Sequence, residues 1–256
     1  MSSHLFILTG ASRGLGLAMA TQLLAPDHQL LCLSRQTSDA LAAQAAAAGA
    51  PLEQWPIDLA QPLEAAARLQ TWLQGLDTTP LRSATLINNA GVIARVGALE
   101  DDSDAALSAA LRVTLEAPLL LCAAFLRSTR DWTAQRRVLN ISSGLGRRAM
   151  AGSAGYCAAK AGMDHFSRAV ALDEAQRARP ARIVSLAPGV IDTDMQVQLR
   201  SADAAGFPDQ GNFIQLKVAG QLTPPRDAAA RVLRYLARPD FGASPVADVR
   251  DPIEKP

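Results

Sequence analysis

Six short apolar runs punctuate the chain: Leu5–Leu8, Gln29–Leu33, Leu52–Ile57, Ala84–Ile87, Val138–Ile141 and Ile183–Leu186. Each has strand length, and none alternates cleanly between apolar and polar positions. That pattern suits parallel strands covered by helices on both faces. Longer alanine- and leucine-rich stretches separate the runs and predict helices over Gly14–Ala25, Asp39–Ala48, Pro62–Gly75, Asp104–Arg130 and Gly155–Arg179. The alternation of strand and helix predicts one α/β domain over residues 1–256. Its core is a doubly wound parallel sheet of about seven strands, with helices on both faces and right-handed crossovers.

The rhythm breaks after Leu186. Residues 188–222 carry Pro188, Gly189, Gly206, Pro208, Gly211 and Gly220, interleaved with Met195, Phe207, Phe213 and Ile214. A loop-rich segment of this length inside a compact domain is usually functional. Its apolar residues favour a lid over substrate, at about 189–222, above a variable surface insertion. A last helix, Asp227–Ala237, and a last strand near Val246–Val249 complete the pattern.

Charge narrows the choice of partners. Twenty-five Lys and Arg oppose twenty-four Asp and Glu among 256 residues, a net charge of +1. That balance offers no general attraction to nucleic acid or to an anionic membrane. The hydrophobic fraction, 49%, fills a sizeable core, while the charged fraction, 19%, lies below the roughly 25% usual for soluble domains. Subunits or a ligand covering part of the surface account for the deficit. Cys32, Cys122 and Cys157 are scattered, as are His4, His28 and His165, so neither a metal site nor a disulfide framework is expected. Residues 1–4 lead straight into a strand, and the apolar stretch Ala117–Leu126 is about half a membrane span. The expectation is a cytoplasmic protein.

Candidate chemistry begins directly after the first strand, at Thr9-Gly10-Ala11-Ser12-Arg13-Gly14-Leu15-Gly16. Glycines at 10, 14 and 16 let a backbone turn tightly and approach a pyrophosphate. The helix that follows points its free N–H groups at the same phosphate. One strand later, an NAD-preferring site places an acidic residue against the ribose 2′-hydroxyl. Here the strand ends Leu33-Ser34-Arg35. Arg35 can pair with a 2′-phosphate, Ser34 can donate a hydrogen bond to it, and Arg13 is a second cation on the same side. NADP(H) is therefore expected as cofactor. Asp58, followed by Leu59, can accept from an adenine amino group.

Tyr156 and Lys160 stand four apart and share one helical face. A free tyrosine, with a pKa of about 10, is a poor acid or base at neutral pH. A neighbouring ammonium stabilises phenolate and lowers that value. Ser143 ends the fifth strand at Asn140-Ile141-Ser142-Ser143-Gly144, at the carboxyl edge where open α/β sheets bind ligands. Its hydroxyl can hold a substrate carbonyl while Tyr156 delivers a proton.

Taken in order, Thr9-Gly10…Gly14-x-Gly16, Asn88-Asn89-Ala90-Gly91, Ser143 and Tyr156-x-x-x-Lys160 resemble the short-chain dehydrogenase/reductase family, with its Rossmann-type sheet. The resemblance spans about the first three quarters of the chain. It implies that Asn89, Ala90 and Gly91 support the sheet and cofactor, and that Lys160 bonds the nicotinamide ribose. It further implies that Pro188, Gly189 and Val190 form the nicotinamide-side turn, with Thr193 reaching the carboxamide and Met195 beside it. The stretches Pro188–Gln196 and Tyr156–Gly162 are similar to those of sepiapterin reductases and their diketone-reducing bacterial relatives. In sepiapterin reductases a C-terminal aspartate anchors the pterin, and Asp248 is the candidate here. One position departs from the family. Its usual asparagine, which holds a water of the proton relay, is replaced by Thr114, whose hydroxyl can bind that water with shorter reach.

These readings converge on an NADPH-dependent carbonyl reductase for a small ketone or dicarbonyl. The hydride goes to the carbonyl carbon, Ser143 polarises the oxygen and Tyr156 protonates it. A homodimer or homotetramer is expected, paired through Asp104–Arg130 and Gly155–Arg179. The rivals are a reductase of 3-ketoacyl thioesters or ketosteroids, and an NADP-binding sensor without turnover.

Overall fold

The structure is a computed structural model, describing residues 3–253. Seven strands form one parallel sheet in the order β3-β2-β1-β4-β5-β6-β7. They are β1 (His4–Thr9), β2 (His28–Ser34), β3 (Leu52–Pro56), β4 (Ser83–Asn88), β5 (Gln135–Ile141), β6 (Arg182–Ala187) and β7 (Val246–Asp248). All seven sequence-derived strands are present, each within a few residues of its expected bounds. Chain order runs outward from β1 to β3, then restarts on the other side with β4. The reversal opens a crevice at the carboxyl ends of β1 and β4, the usual ligand position in such sheets.

The apolar runs do not alternate because both faces are covered. In β1, Leu5 and Ile7 pack with Leu69, Phe125 and Ile183, whereas Leu8 packs with Met19, Val184 and Phe241 on the opposite face. Helices α1 (Gly14–Gln22), α2 (Asp39–Ala48) and α9 (Pro225–Leu236) cover this second face. Helices α3 (Pro62–Gln74), α5 (Ala117–Ser128) and α6 (Ala154–Ala175) cover the first.

Two regions differ from the sequence expectation. The helix expected over 104–130 is broken into α4 (Asp104–Leu111), a π-helical turn at Arg112–Glu116 and α5. Pro118 opens α5 and has no N–H to give the carbonyl of Thr114, so the ladder widens there. An 18-residue window within Asp104–Ser128 has a mean hydropathy of 1.7, long and apolar enough by composition to cross a membrane, and 39% of that window is buried. Its inward residues Ala117, Leu121 and Phe125 lie on the sheet. Segment 189–222 is also not loop throughout, since about half of it is helical. It folds into α7 (Asp194–Arg200) and α8 (Gln210–Val218), and Ile191 pairs with Thr223 to close its base. Phe207 and Phe213 stack at 5.6 Å and, with Met195 and Leu199, pack against Ile93, Met150 and Tyr156. The segment thus carries two helices and its own small core.

Candidate active site

The glycine turn is held by close backbone approach. A Cβ on Gly16 would stand 2.0 Å from the Gly10 carbonyl oxygen and 2.5 Å from Asn89 Nδ2. Gly10 and Gly14 take positive φ, +69° and +55°, which other residues rarely adopt. Asn89 braces the turn from β4: its Nδ2 donates to the carbonyls of Thr9 and Gly10 at 3.0 and 3.2 Å. The Thr9 hydroxyl in turn accepts from the N–H groups of Asn89 and Ala90. Ser34 Oγ accepts from Ala11 N at 2.8 Å, tying β2 to the same turn.

A cleft of about 350 Å³ lies above this frame. It gathers every residue expected around the adenine, ribose and phosphates: Gly10, Ser12, Arg13, Gly14, Leu15, Gly16, Ser34, Arg35, Asp58, Leu59, Asn89, Ala90 and Gly91, with Thr193 and Met195 across it. The two cations differ. Arg13 donates to Asp194 at 3.0 Å across the cleft, with both side chains exposed. Arg35 is exposed and its guanidinium has no partner among the described residues. The chemistry fits a phosphorylated dinucleotide: an open helix N-terminus, a turn without side chains and an uncommitted guanidinium.

A second cavity of about 480 Å³ adjoins the first and shares Leu15, Asn89, Gly91, Thr193 and Met195 with it. Ser143, Tyr156 and Lys160 line it, as do Pro188, Gly189, Val190 and Asp248. Ser143 lies close enough to the Tyr156 phenol to favour its ionised form, and Ser143 Oγ accepts from Leu145 N. Burial pushes the Tyr156 phenol up to about 12, with Ser143 acting in the opposite sense. The expected lowering by Lys160 is therefore not the leading influence on this phenol. Lys160 Nζ stands 5.6 Å from the Tyr156 ring centre and donates to the Ile141 carbonyl at 2.7 Å. Burial brings Lys160 down to about 8, while Asp164 opposes the fall. At neutral pH it is still an ammonium.

Thr114 does not reach either cavity. Its hydroxyl donates to Val92 O at 3.2 Å and accepts from Val92 N at 3.1 Å. The π-helical turn directs the side chain at the strand-end loop, behind Gly91.

Three groups escaped the sequence reading. Asp164 is buried and accepts from Ser142 Oγ (2.6 Å), Ser185 Oγ (2.7 Å) and Arg147 Nε (3.3 Å). Its spacing of four from Lys160 was the available signal. Arg148 and Arg250 both line the second cavity, and Arg250 grips the carboxylate of Asp248.

Comparison with known proteins agrees with this arrangement. A model of the short chain dehydrogenase family matches residues 4–204. The chain is 33% identical over 235 residues to a benzil reductase ((S)-benzoin forming) of Bacillus cereus, covering 92% of this chain and 94% of that one. It is 32% identical over 260 residues to the sepiapterin reductase of Meriones unguiculatus, covering 96% and 95%. A short-chain dehydrogenase/reductase from Burkholderia vietnamiensis, solved by crystallography, superposes with a TM-score of 0.64 at 34% identity, covering 97% and 99%. A metagenomic short-chain oxidoreductase in complex with NADP superposes with a TM-score of 0.72 at 26% identity, covering 96% and 95%. With glycine turn, Asn89 brace and the Ser143–Tyr156–Lys160 group on one sheet edge, the chain belongs to the short-chain dehydrogenase family of nicotinamide-dependent oxidoreductases.

Proposed function

We propose that this protein is an NADPH-dependent carbonyl reductase acting on small diketones or aromatic ketones. The observation that carries the reading is the junction of the two cavities. Ser143, Tyr156 and Lys160 face a mainly apolar chamber that opens directly onto the glycine-turn cleft. The benzil and sepiapterin reductases among its relatives, both acting on compact carbonyl compounds by name, support the substrate class.

The residues divide the work as follows. The glycine turn, Asn89 and Thr193 would hold the dinucleotide, and Arg35 would take its 2′-phosphate, with Arg13 less available because Asp194 engages it. The nicotinamide cofactor, when bound, supplies the hydride. Ser143 donates to the substrate oxygen and fixes the carbonyl beside Tyr156. The raised phenol suits reduction, because it keeps the proton until negative charge grows on that oxygen. Lys160, still cationic at pH 7, then stabilises the phenolate left behind. Its charge matters after the proton leaves more than before. The Tyr156→Phe protein should fold, bind NADPH and lose about 10²–10⁴ of its turnover of benzil. Full activity would refute the mechanism.

The surface supports two further proposals. Leu111, Leu119 and Leu172 are exposed on α4, α5 and α6, and Leu172 is 71% exposed. We assign these helices to a contact between copies, giving a homodimer or homotetramer, which sedimentation reads directly. Cys32 and Cys122 are buried free thiols, in keeping with a reducing cytoplasmic location.

A further inference from the structure

The outer wall of the substrate cavity carries charge that neither the cofactor nor the proton transfer uses. We propose that this wall selects carbonyl compounds with an apolar body and a carboxylate, with Arg148 and Arg250 as its recognition residues and Asp248 as the residue that presents Arg250. The inference rests on the carbonyl-reductase reading and adds the charge of the substrate to it.

A carboxylate in a cavity wall ordinarily attracts a cation or an amidine edge. Asp248 is not available for that. Arg250 Nε donates to its Oδ1 and Arg250 Nη2 to its Oδ2, both at 2.7 Å, and the Arg250 backbone N–H adds a third bond at 3.0 Å. These bonds hold the Asp248 carboxyl below the usual carboxylate range. The side chain of Asp248 is 14% exposed, whereas that of Arg250 is 76% exposed. So the pair shows the cavity its guanidinium rather than its carboxylate. A guanidinium has five N–H donors, and only two of Arg250's meet Asp248.

Arg148 supplies a second, uncommitted fork. It follows the turn after Ser143, is exposed, and its guanidinium has no partner among the described residues. Neither arginine lines the glycine-turn cleft, so neither is engaged by the nucleotide region. Among the residues lining the cavity at this wall, two guanidinium groups face one carboxylate, with Asp251 beside the pair but outside the lining. Planar guanidinium matches a carboxylate in a bidentate manner. The same cavity is also lined by the apolar side chains of Val190, Leu145, Leu199 and Phe213. A ligand that satisfies this lining places a carbonyl at Ser143 and Tyr156, an apolar body against these side chains and an anion at the arginines.

Two matched probes separate charge recognition from turnover. Calorimetry on the protein with NADP bound compares 4-phenylbenzoate with 4-phenylbenzamidine, equal in shape and opposite in charge, neither carrying a reducible ketone. The benzoate should bind about tenfold more tightly or better, the size of one charge-assisted hydrogen bond. Arg148→Ala should cut that ratio about tenfold, and Arg250→Ala should invert it by freeing Asp248. The ratio is independent of how much of a variant is folded. A parallel assay follows NADPH oxidation with benzil and 4-carboxybenzil. An equal preference for the two binding probes, or one unchanged by both substitutions, overturns the proposal even if benzil is reduced. Arginine-dependent benzoate binding without turnover of either dione sustains it and overturns the carbonyl-reductase reading instead.

Discussion

Replacing Gly16 by alanine should do far more damage than the same change at a glycine away from the site. A Cβ at 16 would lie 2.0 Å from Gly10 O, where real Cβ contacts essentially never fall below 3.0 Å. Something must move by about 1 Å, and the atoms in the way are backbone and a committed amide rather than a loose side-chain tip. Overpacking of this kind costs about 1–3 kcal/mol. Moving the Gly10 carbonyl also breaks the Asn89 bonds to the turn, each worth about 1 kcal/mol. The sum is about 3–5 kcal/mol, or roughly 10 °C in Tm for a domain of this size. Cofactor binding should fall with it, because the same turn offers its N–H groups to the phosphates. Gly49 is the control. It ends α2 at φ +63° with nothing within 4 Å of an added Cβ. Alanine there costs only the left-handed conformation, about 1 kcal/mol, and should leave nucleotide binding unchanged. Thermal melts and NADPH fluorescence titration of the two variants give both readouts. A Gly16→Ala protein that melts and binds like the parent would refute this account of the turn.

Exchange of Arg35 for aspartate should reverse the preference for NADPH over NADH by at least tenfold in kcat/KM, since it removes the free cation and supplies the acid that suits a 2′-hydroxyl; an unchanged ratio would separate Arg35 from cofactor choice. Asp164→Asn should lower the Lys160 pKa further below about 8, because the carboxylate opposes the fall caused by burial, and the alkaline limb of kcat should move to lower pH while benzil KM changes little. A pH profile identical to the parent's would show that Asp164 does not set the charge of Lys160. Stability should decline above pH 9. Burial holds Cys32 and Cys122 near 12 against 9.0 for a free thiol, so the native chain keeps protons that the unfolded chain releases. Lys160, lowered from 10.5, acts in the opposite sense between about 8 and 10.5, but one group does not offset two. Urea midpoints measured from pH 9 to 11 should fall, less steeply in a Cys32→Ala, Cys122→Ala variant, and a rising midpoint in the parent over that range would reverse the sign.

The elements that sequence shows best are those whose cause is local. Strands buried on both faces announce themselves as unbroken apolar runs, and α2 has Ser38 to cap it and Gly49 to end it, so its limits are as expected from sequence. Pro118 stands inside the 104–130 pattern, where apolar periodicity alone predicts an unbroken helix. The consequence, a wide turn that points Thr114 at Val92, depends on a strand-end loop 22 residues away. Segment 189–222 misled for the converse reason. Gly206 and Pro208 do lie in a loop, but Gly211 falls inside α8, where Phe213 stacks on Phe207.

Site residues follow the same division. The glycine turn and Tyr156–Lys160 are short-range patterns, legible along the chain. Asp164 is not, because its partners come from β5, β6 and the turn after β5, and only the parallel sheet brings them together. That topology explains more than one site. All seven strands point the same way, so Ser34, Ser143 and Asp248 are delivered to one edge from strands far apart in sequence. Asp164 joins this edge through Arg147, which also holds the Ala247 carbonyl at 2.7 Å, next to Asp248. A charge buried beside the lysine is thereby linked to the strand carrying the outer wall of the cavity. The proton-transfer group and the arginine-presenting aspartate share one support, and a change in either should be felt at the other through Arg147.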